Sequence, residues 1–208
     1  MTRTATTGSG TDALQGELFG AAPPALPPGM RFVEAFLSVD EEARLLDWIA
    51  TLPLRQARYK AYTARRRVMS YGGQYDYDDQ VLRPAEPIPD ALTALRSRCA
   101  EWLGVAPQRF SHALVAQYPP GAPLGWHRDV PDFEDVVGVS LGGWARMRLR
   151  RYPPVEPKKA DVLDLALPPR SAYVLGGEAR WGWQHSIAPT EALRHSITFR
   201  TPRDRGAR

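Results

Sequence analysis

The spacing of apolar residues changes character once along the chain, near residue 112. Before that point, two stretches repeat at helical intervals. In "SVDEEARLLDWIATL", Leu45, Leu46 and Ile49 share one face, and Ser38 is followed three residues later by Glu41. That pair is a capping-box pattern, in which each side chain satisfies a backbone N–H the helix leaves free. In "IPDALTALRSRCAEWLGV", Ile88, Leu92, Leu95, Cys99 and Trp102 step by four, three, four and three, and Gly104 is placed to close the helix. Cys99 lies on this stripe and reads as a small buried hydrophobe rather than a reactive thiol.

From His112 onward the period is two. "HALVAQY", "VVGVSL", "ARMRLRRY", "DVLDLAL", "SAYVL" and "RHSITFR" are short β-branched or alternating runs divided by Pro and Gly. Strands in succession without intervening helices predict a mainly β domain (α+β) with flanking helices. Its core is an antiparallel sandwich or jelly roll, and the two N-terminal helices pack outside it. Residues 1–30, rich in Thr, Gly, Ala and Pro, read as a flexible arm in which only Leu18-Phe19 can dock. Residues 31–208 read as one domain, with no internal repeat.

Composition narrows the function classes. The 208 residues are 24% charged and 43% hydrophobic, as in a soluble globular protein. The net charge of +4 permits a polyanionic partner without demanding one. A single cysteine excludes an intramolecular disulfide and a cysteine-built zinc site. The candidate nitrogen ligands are therefore His112, His127, His185 and His195. "MTRTATTGSGTDALQG" lacks the apolar run of a signal peptide and no later stretch reaches membrane-spanning length, so the expected compartment is the cytoplasm.

The chemistry starts at "GWHRD". Residues i and i+2 of a strand face the same side, so His127 and Asp129 can offer an imidazole and a carboxylate to one point. Alone, they read more readily as a hydrogen-bonded polar pair at the surface than as a metal site. "RWGWQHSIAP" adds His185, and two histidines with one carboxylate form the facial triad of non-haem Fe(II) oxygenases, with three coordination positions open. The closing strand "RHSITFRTPRD" places Arg194, Ser196, Thr198 and Arg200 on one face and Ile197 and Phe199 on the other. Guanidinium groups beside hydroxyls suit a dicarboxylate. Six residues of strand span roughly 20 Å, so both arginines reach one small diacid only by leaning inward.

With "QYPPGAPLGWHRD", "VVGVSLGG", "GGEARWGWQHSI" and "RHSITFR" in this order, the sequence resembles the AlkB-like 2-oxoglutarate- and Fe(II)-dependent dioxygenases. The resemblance covers almost all of the chain after the arm. It implies a double-stranded β-helix core over about 112–202 and a substrate-recognition lid over about 55–85. It also implies that His127, Asp129 and His185 hold Fe(II), and that Tyr118, Arg194, Ser196 and Arg200 lie around 2-oxoglutarate, with O2 as the other cosubstrate. The implied reaction is oxidative dealkylation of N-alkylated bases in DNA or RNA, releasing succinate, CO2 and an aldehyde. The partner expected is a nucleic acid, with no membrane and no obligate protein partner, and the enzyme is expected to be a monomer.

In the lid, "RYKAYTARRRVMSYGGQYDYDD" offers Arg65, Arg66 and Arg67 to phosphates and Tyr71, Tyr75 and Tyr77 as stacking surfaces. Trp126 and Arg180 complete the expected substrate contacts. The blander readings are a solvated face for "RRR", core packing for Trp181 and Trp183, and a solvated His112. Arg146, Arg148 and Arg150 form a basic face that either lines a nucleic-acid groove or points to water, and water is the preferred reading. Three positions depart from the family pattern. Ser196 and Ala116 stand where asparagines are common, and Val130-Pro131 follow the triad where several DNA-repair members carry acids. The last departure leaves two alternatives open: the same chemistry on a protein side chain or small molecule, and a non-catalytic nucleic-acid-binding jelly roll.

Overall fold

The structure is a computed structural model and describes residues 25–59, 62–76, 79, 81–154 and 161–204. Most of the expected arm, with Leu18-Phe19, and Tyr77 of the lid lie outside these residues. The last residues of the arm are docked. Leu26 packs against a core cluster, and Pro28 O accepts a hydrogen bond from Ala179 N at 2.8 Å.

In chain order the elements are β1 (Met30–Val33), α1 (Val39–Ala50), β2 (Arg55–Tyr59), β3 (Tyr62–Tyr71), β4 (Gln74–Asp76) and β5 (Val81–Arg83). There follow α2 (Thr93–Leu103), β6 (His112–Tyr118), β7 (Leu124–His127), β8 (Phe133–Leu141), β9 (Ala145–Arg151) and β10 (Leu163–Leu167). The chain ends with β11 (Ala172–Leu175), α3 (Gly177–Trp181), β12 (Trp183–Ile187) and β13 (Arg194–Pro202). Two antiparallel sheets pack face to face. The larger has the order β1-β11-β8-β13-β6-β3-β2 and the smaller β10-β9-β12-β7, while β4 and β5 form a separate hairpin. This is the expected jelly roll, a double-stranded β-helix.

Both predicted helices form where their caps place them. Ser38 Oγ accepts from Glu41 N at 3.2 Å and Glu41 Oε2 accepts from Ser38 N at 2.8 Å, closing the capping box; such a cap stabilises a helix by about 1 kcal/mol. Gly104 ends α2 at φ +87°, a left-handed conformation that favours glycine. Leu45, Ile49, Leu92, Leu95 and Cys99 face Val137, Val139, Ile197 and Phe199 on the outer side of the large sheet. A second cluster fills the space between the sheets, joining Val136, Tyr173 and Leu175 to Met147, Leu149, Leu167 and Ile187. The two faces of β8 and β13 thus do different work: Val137, Val139, Ile197 and Phe199 pack on the helices, and Val136, Arg194 and Ser196 face the other sheet.

The lid segment is built differently from a loop. β2 and β3 extend the large sheet, with β3 paired to β6 from Arg67↔Gln117 to Tyr71↔Ala113. The wall of the cavity is therefore continuous with the core, and only the β4–β5 hairpin stands apart. Among the described residues no helix is long and apolar enough to cross a membrane.

Candidate active site

The site lies between the two sheets. His127 ends β7 and His185 sits within β12, directly opposite it in the ladder. Their ring centroids are 4.1 Å apart. Asp129 is beyond the end of β7, in a loop, so strand alternation is not what brings it in. Two arginines do. Arg180 Nη2 donates to the carbonyls of Asp129, Val130 and Phe133 at 3.1, 2.8 and 2.9 Å, fixing the loop. Arg200 binds the carboxylate itself, with Nε 2.8 Å from Asp129 Oδ1. The other oxygen, Oδ2, lies 3.7 Å from His185 Nε2. One ligand atom from each of His127, Asp129 and His185 lies within 4.8 Å of the others, so the set can hold a metal ion.

Protonation favours that role. His127 Nδ1 is 2.9 Å from Gly125 O; a carbonyl only accepts, so Nδ1 carries the proton and Nε2 keeps its lone pair. Burial lowers the pKa of both histidines, His185 to about 3 with His127 adding to the effect, so both are neutral near pH 7. Burial opposes ionisation of Asp129, yet Arg200, the two histidines and Arg180 outweigh it and hold its carboxyl far below the usual range. Two neutral imidazoles and one carboxylate are the donor set of a divalent ion.

Deeper in the cavity lies an anion cradle. Arg194 is buried, its Nε donates to Ser140 Oγ at 3.1 Å, and its guanidinium lies 4.8 Å from the centroid of the Tyr118 ring. Its Nη1 is buried with no hydrogen-bond partner among the described residues. A buried guanidinium with an unfilled donor calls for an anionic oxygen, and a carboxylate supplies one. Burial opposes ionisation of the Tyr118 phenol, but Arg66, Arg194 and Ser196 more than offset it, leaving its pKa below the ordinary value. Ser196 and Thr198 line the same wall. These residues fit a bound dicarboxylate.

Arg200 is placed otherwise than expected. Its fork is engaged with Asp129, and its Nη1 also meets His112 Nδ1 at 3.3 Å and Thr198 Oγ1 at 3.1 Å. It anchors the Asp129 carboxylate and lines the same cavity as Arg194. His112, expected in solvent, is buried against Phe133 and Arg200. Tyr173 is a further lining residue that the sequence reading did not place here, and Ser140 stands behind the wall as the acceptor that holds Arg194. For Ser140 a signal existed, because the alternation in "VVGVSL" puts it on the polar-facing side with Gly138.

The cavity has a volume of about 1430 Å³. Tyr75, Trp126 and Arg66 of the expected substrate contacts line it, together with Arg55, Gln56, Arg128 and Val130. Five expected substrate contacts are placed otherwise. Arg66 is buried beside Tyr118 rather than presented to surface phosphates. Arg65 donates to Pro120 O and Gly121 O, both at 3.3 Å, tying β3 to the turn before β7, and exposed Arg67 does not line the cavity. Tyr71 is on the opposite face of β3, buried against Trp48 and the helices. Arg180 is 2% exposed and holds the Asp129 loop instead of touching the cavity. Trp183 packs in the core, and Trp181 donates to Glu134 between Arg180 and Arg203.

Comparison with known proteins agrees with this geometry. A family model described as the 2OG-Fe(II) oxygenase superfamily matches residues 29–203. The chain is 30% identical over 171 residues to the tRNA (carboxymethyluridine(34)-5-O)-methyltransferase ALKBH8 of Mus musculus, covering 79% of this chain and 25% of that protein. It is 32% identical over 183 residues to the alkylated DNA repair protein ALKBH8 homolog of Arabidopsis thaliana, covering 77% and 51%. The chain thus spans between a quarter and a half of these relatives. The solved structure of OsALKBH1 superposes with a TM-score of 0.62 at 18% identity, covering 85% of this chain and all of that one. The family implies Fe(II), 2-oxoglutarate and O2, and the His-Asp-His set and the Arg194 cradle fit the first two. The chain belongs to the 2OG-Fe(II) oxygenase superfamily, and within it resembles the AlkB homologues in sequence and fold.

Proposed function

We propose that this dioxygenase oxidises an alkyl substituent on a nucleobase of RNA or DNA. The observation that carries the reading is the cavity: its roughly 1430 Å³ extends from the triad to the β2–β3 and β4–β5 walls, well beyond what a five-carbon diacid fills. The names of the relatives, one concerning tRNA and one alkylated DNA, point the same way.

When bound, iron, 2-oxoglutarate and O2 supply the oxidation of a C–H bond, with succinate and CO2 as co-products. The chain's own groups do the rest. His127, Asp129 and His185 ligate. Arg200 and Arg180 keep Asp129 ionised and turned toward the histidines. Arg194, held by Ser140, and Tyr118 would take a carboxylate of 2-oxoglutarate. Tyr75 offers aromatic surface at the cavity wall to a base turned out of its stack. Where the hydroxylated carbon is an N-methyl group, the hemiaminal collapses to formaldehyde and the bare base.

The test is a panel of oligonucleotides, RNA and DNA, carrying single N-methylated bases, assayed for succinate, formaldehyde and mass change. Mass loss of one methyl group with matched succinate is expected for at least one member. Activity on none of them sinks the nucleobase reading and leaves oxidation of a protein side chain or small molecule. That rival draws on Val130, which gives the cavity an apolar wall beside Asp129.

A further inference from the structure

The outer face of the smaller sheet carries charge that the cavity does not use. Met147 and Leu149 of β9 point into the core, so Arg146, Arg148 and Arg150 point outward. Arg148 and Arg150 stand opposite Ser186 and Gln184 of β12 and donate to them through Nε, at 3.0 and 2.9 Å. Both guanidiniums lie over the Trp126 ring of β7, 5.2 and 4.4 Å from its centroid. All of these partners are neutral.

The neighbouring arginines make the contrast. Arg146 lies 3.8 Å from Asp164 and Arg151 lies 3.1 Å from Glu178, so each has a carboxylate. Among the described residues no carboxylate pairs with Arg148 or Arg150. Because Nε makes the sheet contact, the Nη nitrogens of both have no protein acceptor among the described residues. Fixing two half-buried cations side by side costs side-chain entropy and mutual repulsion, which the Trp126 ring and Asp164, opposite Arg148 on β10 but paired with Arg146, offset only in part. Their roots on one strand are about 7 Å apart. That spacing suits successive charges on a chain better than one carboxylate. Trp126 also lines the cavity, next to His127, so the basic face is continuous with the cavity mouth.

We propose that Arg148, Arg150 and Trp126 form a track for the sugar–phosphate backbone of a polynucleotide, holding the phosphates that flank the nucleotide delivered to the cavity. The proposal rests on the nucleobase reading above and adds where the strand runs. Contacts of this kind are electrostatic and independent of base sequence, so they contribute affinity and register rather than specificity.

The experiment is fluorescence anisotropy with the full chain, using a labelled single-stranded 15-mer and a trinucleotide between 50 and 200 mM salt. Wild type is compared with the Arg148→Gln/Arg150→Gln and Arg148→Lys/Arg150→Lys pairs, with thermal melting in parallel. For the 15-mer, the glutamine pair is expected to bind roughly tenfold more weakly. The slope of log affinity against log salt should be shallower by roughly 1.5. The lysine pair should keep the wild-type slope, and the trinucleotide, whose two phosphates flank its central nucleotide, should rank the three proteins in the same order with a smaller change of slope. An unchanged 15-mer affinity and slope in the glutamine pair overturns the track while the nucleobase reading stands. Equal loss in the lysine pair also overturns it, since that loss follows from local damage and not from charge. Wild-type protein that binds no oligonucleotide overturns the nucleobase reading and the track together.

Discussion

Arg200 and Asp129, 71 positions apart in the chain, meet through a single carboxylate oxygen: Nε lies 2.8 Å and Nη2 2.6 Å from Oδ1. This division leaves Oδ2 for the histidine side, 3.7 Å from His185 Nε2. The arginine thus both ionises the carboxylate and sets which oxygen it presents. Removing one partner of a buried ion pair costs about 3–5 kcal/mol, because the other charge is stranded.

Arg200→Lys keeps the charge but replaces a two-pronged grip with one point contact. Metal affinity should fall on the order of 10- to 100-fold. Arg200→Ala should fall further and melt several degrees lower. Calorimetric titration with Co(II) or Mn(II), without cosubstrate, reads this directly. Unchanged affinity in the alanine variant contradicts the arrangement.

Arg180 gives a second, separable expectation. Its Nη2 serves three carbonyls of one loop, so Arg180→Met leaves Asp129, Val130 and Phe133 without their shared donor. Weaker metal binding, again on the order of 10- to 100-fold, is expected in the absence of any substrate. A residue that merely touched substrate would leave that titration unmoved, so the same measurement separates positioning from contact.

Much of this site was legible in the sequence because period and register carry it. The alternation of "RHSITFR" put Arg194, Ser196, Thr198 and Arg200 on one face, and the cavity lines that face. The capping box at Ser38 and the stripe through Cys99 placed both helices. The departures share a cause: they depend on neighbours distant in the chain. Asp129 is held by Arg200 and Arg180 from β13 and α3, contacts that no local spacing contains. His112 opens a strand, and only its pairing opposite Arg200 shows it buried. Tyr71 and Arg66 lie on opposite faces of β3, but nothing in "ARRRVMSY" says which face meets the helices. That choice is made by pairing with β6.

Gly138 and Tyr173 face each other across β8 and β11, and a Cβ added at Gly138 would overlap the tyrosine ring. Both lie in the packed interior, where the ring has little room to give. Gly138→Ala is therefore expected to destabilise by about 1–3 kcal/mol, the range for overpacking. For a chain of this size that corresponds to roughly 2–12 °C in melting temperature. Tyr173→Leu in the same chain should recover part of the loss. Additive destabilisation in the double variant rules out the clash as its source.

His112 sets the last expectation, which concerns acid. It is 6% exposed, packs on Phe133 and accepts from Arg200 at 3.3 Å. Burial, and then Arg200, push its pKa from 6.5 down to about 3. Between those values the unfolded chain takes up a proton here and the folded one does not. Stability from this group is therefore fully present above about pH 6.5 and declines as pH falls toward 3. The other three histidines are lowered as well, so the acid limb is shared. His112→Gln cannot take up that proton. Its melting temperature should fall less steeply than wild type between pH 6.5 and 4, even if it starts lower at pH 7.5. Parallel curves would show that His112 does not contribute to the acid limb.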